Sequence, residues 1–377
     1  MHEEQSWLPR QLQPVNGMWR AAICVGLGWI SSAGAAAAQR IVAVPHYTVV
    51  ASLGGNLDVG GWDYATIDSN NRRLYLSTDG VLVLDLISDK LIPNFLPALA
   101  GKSTHGIAAL GDSGAAIADA TDNEVVFFDT RTRQVTGRVV TGPSPRSKGW
   151  HNPDALVLEP KTGLLIAVNG DSGQLVLIDP TRKEIVGRIT VGGRLEFAAA
   201  DGSGMVYVNV ASRNEVAGVD IPARRVVRRM RLRGCQEPTG LAYDATYKLV
   251  LSVCDNGQLH VVSASSGAER AILKVGTGAD AVMYDSMHHR AFTASPDQGT
   301  VNVVAIGPRH SEVIQTLKTQ PGTRLGALDP RSDQLYLPAA TFGPPAPPVH
   351  LPGLPPLLGV NPKTFKFLVI APCESHP

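Results

Sequence analysis

An acidic turn residue recurs along most of this chain at almost constant spacing. Each copy follows a short apolar run and precedes a second run, and neighbouring copies are 41 to 47 residues apart. The seven positions are Asp68, Asp112, Glu159, Asp201, Asp244, Asp285 and Asp329. A repeat of about 40 to 50 residues with four short strands per unit is typical of the blades of a β-propeller. The spacing therefore predicts an architecture before any catalytic motif is considered.

One repeat shows the expected strands most clearly. Residues 154–193 read DALVLEPKTGLLIAVNGDSGQLVLIDPTRKEIVGRITVGG, in which short apolar runs are separated by Asp, Gly, Pro and Thr. Short β-branched runs bounded by such residues predict strands and tight turns. We expect an all-β protein, a single seven-bladed β-propeller of four-stranded antiparallel blades over residues 39–371.

The two ends of the repeat region complement each other. Residues 46–53 read like an outer strand without the rest of its blade, whereas the last repeat lacks an outer strand. The N-terminal strand is therefore expected to complete the C-terminal blade, which pairs edges that are otherwise exposed. A Pro-rich insert at 342–362 interrupts that blade, and residues 372–377 form a tail. We expect the insert to be a surface loop, with a lid or docking segment as the alternative.

Residues 1–38 have the pattern of a cleavable export signal. Arg20 precedes a short apolar run, which ends in the small residues at 36–38. This pattern predicts a secretory signal peptide, and the run is short for a transmembrane helix. Met18 is a candidate start, since residues 1–17 carry acidic residues and prolines that are unusual in such a signal. We expect a periplasmic or secreted protein with no transmembrane segment in the mature chain.

Export implies an oxidising compartment, in which cysteines pair. Cys235 precedes the first strand of one repeat, and Cys254 ends the second strand of the same repeat. Because adjacent antiparallel strands bring such ends together, we expect a Cys235–Cys254 disulfide, with two buried thiols as the alternative. The other cysteine of the mature chain, Cys373, falls in the predicted tail, and we expect it to be unpaired.

Charge and motifs narrow the classes of function. The formal net charge is +1, so no overall field recruits nucleic acid or an anionic membrane. The sequence contains no G-x-S-x-G, H-E-x-x-H, C-x-x-C-H or P-loop motif. It therefore offers no familiar hydrolase, metalloprotease, haem or nucleotide site.

The residues just before each inner strand are expected to line one mouth of the central channel. Counting back from the acidic turn residues selects mostly carboxylates, interrupted by one Arg and one His. The candidate ligand-binding residues are Asp63, His105, Asn152, Asp154, Glu196, Glu237, Asp280, Arg324, Trp62 and Trp150. An acidic funnel with aromatic residues favours a binding site. The alternative is a belt of salt bridges between blades, with a purely structural role.

The same mouth is a candidate metal site. A ring of carboxylates suits a hard divalent cation such as Ca²⁺, which is the cofactor we expect if one is bound. A transition metal would instead need His105 within reach of at least two carboxylates. The pair His288 and His289, at a predicted turn, is a weaker metal candidate.

A basic run lies on one predicted outer strand and comprises Arg224, Arg225, Arg228, Arg229, Arg231 and Arg233. Charges on an edge strand prevent it from pairing with another sheet, which is the structural explanation. The alternative is a stripe that contacts phosphates, with Arg228, Arg229 and Arg231 binding nucleic acid. Trp62 or Trp150 would then stack on bases.

Several phrases resemble those of a known family. RLYLST, MVYVNV, QLYLPA and LIAVNG stand where YVTN-repeat propellers carry that tetrapeptide. HGIAAL, NPDALVLEP and the closing LYLPAATFGPP also resemble YncE-like, surface-layer-type propellers, and the resemblance covers about residues 45–371. It implies a seven-bladed propeller of the wider WD40-like repeat superfamily, exported or displayed on the surface. It implies no catalytic residue.

We therefore predict an exported, non-enzymatic binding or scaffold protein that uses the channel mouth for a small ligand, an ion or a protein partner. We expect it to be a monomer. A metal-dependent enzyme of the lactonase or lyase type, acting at the same mouth, is one alternative, because propellers host many functions. Nucleic-acid binding through the arginine run is another. A stoichiometric metal ion in the purified protein would favour the enzyme. Salt-sensitive binding of single-stranded DNA would support nucleic-acid binding.

Overall fold

The computed structural model describes residues 46–142, 152–343, 359–361 and 363–373. Within them the chain forms seven four-stranded antiparallel sheets and one two-stranded ribbon. The fold class predicted from the repeat, an all-β propeller with seven blades, is confirmed.

Six of the blades are built from four consecutive strands each. In chain order, β1 (His46–Gly54) precedes the first three blades, which are β2 (Ala65–Asp68), β3 (Arg73–Thr78), β4 (Gly80–Asp85), β5 (Lys90–Ile92); β6 (Thr104–Ala109), β7 (Gly114–Asp119), β8 (Glu124–Asp129), β9 (Val135–Val140); and β10 (Leu156–Glu159), β11 (Leu164–Asn169), β12 (Gln174–Asp179), β13 (Glu184–Thr190). The next three blades are β14 (Leu195–Ala200), β15 (Met205–Val210), β16 (Glu215–Asp220), β17 (Arg225–Arg231); β18 (Pro238–Asp244), β19 (Leu249–Cys254), β20 (Gln258–Ser263), β21 (Glu269–Lys274); and β22 (Val282–Asp285), β23 (Arg290–Ser295), β24 (Thr300–Ala305), β25 (Glu312–Lys318).

The remaining strands belong to the seventh blade and its insert. They are β26 (Ala327–Asp329), β27 (Gln334–Ala339), the ribbon strands β28 (Phe342–Gly343) and β29 (Gly359–Val360), and β30 (Lys366–Cys373). The seventh sheet has the order β26, β27, β30 and β1, so the first described strand is its outer strand, antiparallel to β30. Arg72 of the first blade joins it to the seventh, because its guanidinium donates two hydrogen bonds of 2.8 Å to the Asp329 carboxylate.

Six of the seven recurring acidic residues, all but Asp112, cap the turn between the first and second strands of a blade. The Asp68 carboxylate accepts the backbone N–H groups two and three residues further on, at 3.1 and 3.0 Å. Glu159 does the same at 3.2 and 2.7 Å, and Asp285 at 2.9 and 3.2 Å. Such side-chain caps stabilise tight turns. The repeat in the sequence is therefore a repeat of turn chemistry.

The first strands of the blades surround the axis. Each of β2, β6, β10, β14, β18 and β22 contacts the next inner strand, and β26 contacts β2. These seven strands thus form a closed ring around a central channel. The ends of the inner strands are brought together at the two mouths of that channel.

Apolar side chains fill the spaces between the blades. The middle strands β11 and β12 are buried along most of their length, whereas the outer strands β17 and β21 alternate between exposed and less exposed residues. This difference arises because a middle strand has blades packed on both faces, while an outer strand has one open edge. One core cluster, which includes Tyr47, Leu74, Phe292 and Phe365, joins the last two blades to the first.

Cys235 and Cys254 form the predicted disulfide, with their Cα atoms 5.6 Å apart. The expectation that Cys373 is unpaired is wrong, because this cysteine is also disulfide-bonded and is only 4% exposed. It ends strand β30, so the sheet continues into the segment that the sequence analysis assigned to a tail.

Two other predicted segments are described only in part or not at all. β28 pairs with β29 at the base of the Pro-rich insert, and residues 344–358 lie outside the described chain. The predicted export signal at 1–38 also lies outside it. Among the described residues there is no helix with the length and apolar character needed to cross a bilayer.

Candidate functional site

Most of the predicted mouth residues lie where the inner strands begin. Asp63, Asp154 and Asp280 each precede an inner strand by two residues, whereas His105 and Glu196 are the second residues of β6 and β14. Because the inner strands form a closed ring, their starts converge at one end of the channel. The candidate site is therefore assembled from five blades that are far apart in sequence.

His105 connects the first three blades. Its Nδ1 lies 2.5 Å from Oδ2 of Asp63 and 3.3 Å from Oδ1 of Asp154, and its Nε2 lies 3.3 Å from Oγ of Ser103. Burial lowers the pKa of His105, but the hydrogen bonds to Asp154 and Asp63 outweigh it and raise the pKa to about 10. At neutral pH the imidazole is therefore a cation held between two carboxylates.

Backbone hydrogen bonds fix the position of Asp154 beside His105. The N–H of Asp154 donates to the carbonyl of Val168 at 2.7 Å, and the N–H of Gly106 donates to the carbonyl of Asp154 at 2.9 Å. A Cβ at Gly106 would lie 2.5 Å from the backbone nitrogen of Leu156 and 2.7 Å from the Asp154 carbonyl oxygen. The absence of a side chain after His105 thus permits the close approach of the second blade to the third.

Arg324 connects the last two blades to the first. Its Nη2 donates to the carbonyl oxygen of Trp62 at 3.0 Å and lies 3.5 Å from Oδ1 of Asp63. Its Nε lies 3.4 Å from Oδ2 of Asp280. Burial raises the pKa of Asp280 to about 6 even though Arg324 lowers it, and the negative charge of Asp63 adds to the increase. Asp63 therefore faces a cation on each side.

Glu196 is a further carboxyl group of the mouth, and its Oε1 accepts a hydrogen bond from Nη1 of Arg194. Arg194 also lies 3.3 Å from Oε2 of Glu237, whose side chain is two-thirds exposed. Burial, together with the negative charge of Asp154, outweighs Arg194 and raises the pKa of Glu196 to about 9. This carboxyl is thus predominantly protonated at neutral pH and can donate a hydrogen bond.

An aromatic pair, which sequence analysis missed, lies beside these acidic groups. The rings of Tyr64 and Phe197 are stacked, with centroids 4.4 Å apart and an interplanar angle of 23°. The two residues come from the first and fourth blades, so the contact spans the channel. Each ring directly follows a mouth carboxylate, Asp63 or Glu196, and that shared position is the signal that could have identified it.

Two of the predicted residues, Trp62 and Asn152, are not part of this cluster. Trp62 is 8% exposed, and its ring packs against Phe365 and Phe342 with centroids 5.4 and 5.9 Å away. Asn152 is buried, and its Oδ1 accepts the N–H of Ser172 at 3.4 Å. Trp150 lies outside the described residues. Among the described residues, the stacked rings beside the mouth carboxyl groups are therefore those of Tyr64 and Phe197.

The arginines of the nucleic-acid hypothesis lie elsewhere. Arg228, Arg229 and Arg231 are on β17, the outer strand of the fourth blade, at the rim of the ring. The histidines at 288 and 289 lie in the turn between β22 and β23. His288 is half exposed there, and its Nδ1 is 2.6 Å from Oδ2 of Asp285.

Comparisons with known proteins identify the fold and no family. The chain matches no protein-family model and no curated protein sequence. A chain in the solved crystal structure of the mitotic checkpoint complex aligns with a TM-score of 0.64 at 12% identity, covering 83% of this chain and 95% of that chain. The shared feature is the propeller fold. At this identity the likeness concerns the fold alone, so the resemblance to YncE-like, YVTN-repeat propellers stays a prediction.

The arrangement of the mouth has two chemical capabilities. Nδ1 of His105 and one carboxylate oxygen each of Asp63 and Asp154 lie within 4.8 Å of one another, so the three atoms can surround one cation. The site also combines a protonated carboxyl at Glu196 with the carboxyl oxygens of Asp63, which gives it both a hydrogen-bond donor and acceptors. In contrast, Cys235 and Cys254 lie near His260 but are joined in a disulfide and so cannot be thiolate ligands.

Proposed function

We propose that this protein is an exported, non-enzymatic binding protein whose channel mouth binds a divalent cation of the Zn²⁺ or Mn²⁺ type. One observation supports this most directly. The His105 Nδ1 atom meets the carboxylates of both Asp63 and Asp154, at 2.5 and 3.3 Å. This is the arrangement that a transition-metal site at the mouth requires.

The choice of ion follows from the donor atoms. One imidazole nitrogen with two carboxylate oxygens suits borderline divalent ions, which accept mixed nitrogen and oxygen ligands. Ca²⁺, the ion expected from the sequence, prefers six to eight oxygen ligands, and a buried imidazole in the centre of the site does not contribute one. We therefore propose a nitrogen-accepting metal in place of Ca²⁺.

A proton competes with the metal for the same position. The proton on Nδ1 of His105 lies between Asp63 and Asp154, where it satisfies both carboxylates when no metal is present. Arg324, 3.5 Å from Asp63, opposes a second positive charge nearby. Metal binding must therefore displace the imidazole proton, and its affinity should increase with pH.

The disulfide between Cys235 and Cys254 supports the exported location, because such bonds persist in oxidising compartments. The propeller supports a binding or scaffold role, since its blades present a wide rim and two mouths around one rigid ring. The solved neighbour is a component of a protein complex, which favours protein partners for this chain as well.

Isothermal titration calorimetry of the metal-free protein with ZnCl₂, MnCl₂ and CaCl₂ tests the proposal. We expect one Zn²⁺ or Mn²⁺ per chain and weaker Ca²⁺ binding. Titrations in buffers of different ionisation enthalpy should show release of about one proton per metal. His105→Gln should abolish binding, whereas His288→Gln, at a separate His–Asp cluster, should retain it. Failure to bind either ion, or loss of binding in His288→Gln alone, would reject the mouth as the metal site.

A further inference from the structure

A second candidate site lies at the rim, between the fourth and fifth blades. A groove of about 1070 Å³ follows the outer edge of β17 and continues to the turn before β21. We call it the arginine groove, and its polar lining includes Arg213, Arg228, Arg229, Arg231, Arg233 and Gln236. Glu269 is the one carboxylate in its lining, and its Oε1 is 2.6 Å from Nδ1 of His260.

Part of this positive charge is neutralised within the fold. Arg229 forms an ion pair with Glu215 and donates to the carbonyl of Val191 at 2.7 Å. Arg213 lies 3.9 Å from the same Glu215 carboxylate. The guanidinium groups of Arg228, Arg231 and Arg233 form no ion pair or hydrogen bond with another residue in the described parts of the chain. Three arginines therefore remain available to a ligand.

The exposed arginines of the groove are arranged in a row. Arg229, Arg231 and Arg233 are exposed, whereas Met230 and Leu232 between them are buried. Alternate residues of an extended chain point to the same side and are about 7 Å apart. Arg229 and Arg231 therefore lie on the same side of β17, and Arg233 follows in the turn after the strand.

Protection of the strand edge does not require so many like charges. β9 is also an outer strand and contains one charged residue, Arg138. β25 is another and contains two of opposite sign, Glu312 and Lys318. A single charge on an edge strand already disfavours pairing between sheets. The four arginines within β17 exceed that need.

We infer that the arginine groove is a ligand site for a molecule that carries two or more phosphate groups. The guanidinium fork donates two parallel hydrogen bonds to a phosphate, and it stays charged at all physiological pH values. No Trp, Tyr or Phe is among the described residues that line the groove, so it lacks the stacking surface that single-stranded nucleic-acid sites use. Recognition should therefore depend on phosphates and not on bases. This inference is independent of the metal proposed at the channel mouth.

Calorimetric titrations with orthophosphate, pyrophosphate and tripolyphosphate test the inference. The protein should be metal-free, because polyphosphates chelate divalent ions that the mouth is proposed to hold. We expect affinity to increase with the number of phosphates and to fall as salt is raised, since each guanidinium–phosphate contact is electrostatic. Equal affinity for all three, or no binding of tripolyphosphate at low salt, would overturn the inference.

Substitutions distinguish phosphate binding by the arginine groove from protection of the strand edge. Arg231→Ser with Arg233→Ser should weaken tripolyphosphate binding by about tenfold for each arginine removed. Arg231→Glu with Arg233→Glu keeps the edge charged and should remain monomeric, yet it should lose binding. Arg182→Ser is the matched control, because Arg182 is an exposed arginine of the third blade paired with Glu184. Unchanged affinity in both double variants, or binding of single-stranded DNA without binding of tripolyphosphate, would contradict the proposed site.

Discussion

Replacing His105 with Gln should destabilise the protein, and the loss should diminish at high pH. Nδ1 of His105 lies 2.5 Å from Asp63 and 3.3 Å from Asp154, whose side chains are 26% and 8% exposed. Removal of the positive charge leaves two partly buried carboxylates facing each other, and breaking a buried pair in this way costs about 3–5 kcal/mol. The Gln amide still donates to one carboxylate, so we expect a loss of about 3 kcal/mol.

The sign of the pH dependence follows from the pKa of His105. Burial lowers this pKa, but Asp154 and Asp63 outweigh it and raise the value from 6.5 to about 10. The folded protein therefore holds the proton more tightly than the unfolded chain does. The stabilisation is complete below about pH 6.5 and is lost as the pH rises through about 10.

Urea unfolding of wild type and His105→Gln in metal-free buffer measures the effect. The difference in unfolding free energy should be largest near about pH 6 and much smaller near about pH 10.5. Titrating groups remote from this cluster cancel, because they are the same in both proteins. His288→Gln is the control, since its imidazole is 43% exposed and its ion pair contributes less than about 1 kcal/mol. A His105→Gln loss that is the same at both pH values, or that grows with pH, would refute the reasoning.

Three other perturbations have defined outcomes. Replacing Cys235 and Cys254 together by Ser should cost about 3 kcal/mol in urea unfolding, because the bond joins residues 19 apart in sequence. Gly106→Ala should cost about 2–4 kcal/mol, since its Cβ would lie 2.5 Å from backbone, whereas Gly61→Ala, with nothing within 4 Å, should be neutral in the same assay. Burial and Asp154 raise the pKa of Glu196 to about 9, so the wild type loses stability as the pH rises from about 4.5 towards 9. Glu196→Gln should therefore be more stable than wild type by about 1–3 kcal/mol near about pH 8 and equal to it near about pH 4.

The fold could be predicted because its signals are local. A turn carboxylate such as Asp68 or Glu159 bonds to backbone groups two and three residues away, so its role is visible in a short stretch of sequence. The repetition of that unit determined the number of blades. The Cys235–Cys254 bond was predictable for the same reason, since both residues lie in one blade.

The internal arrangement of the mouth could be predicted from the sequence only in part. Sequence spacing placed His105, Asp63 and Asp154 at the starts of inner strands, but it gave no distances, because these depend on how neighbouring blades are rotated against each other. The Tyr64–Phe197 stack joins blades that are not neighbours, and no spacing rule indicates it.

Two residues were placed wrongly for a physical reason. Trp62 was counted as a mouth aromatic, yet its large apolar ring is buried against Phe365 in the core. Cys373 was assigned to a tail, yet backbone pairing with β1 extends the last strand to include it. In both cases long-range packing determined the position, and the local sequence did not.

The seventh sheet makes the folding of the whole ring depend on its most distant residues. β1 pairs with β30, and the nearby ion pair between Arg72 and Asp329 joins residues 257 apart in sequence. Forming such contacts carries a large loop-closure entropy and favours slow, late assembly. A growing chain can thus complete six blades and still lack the seventh. Loss of either β1 or β30 should have the same consequence, a seventh blade with an unpaired strand edge that is available to another chain.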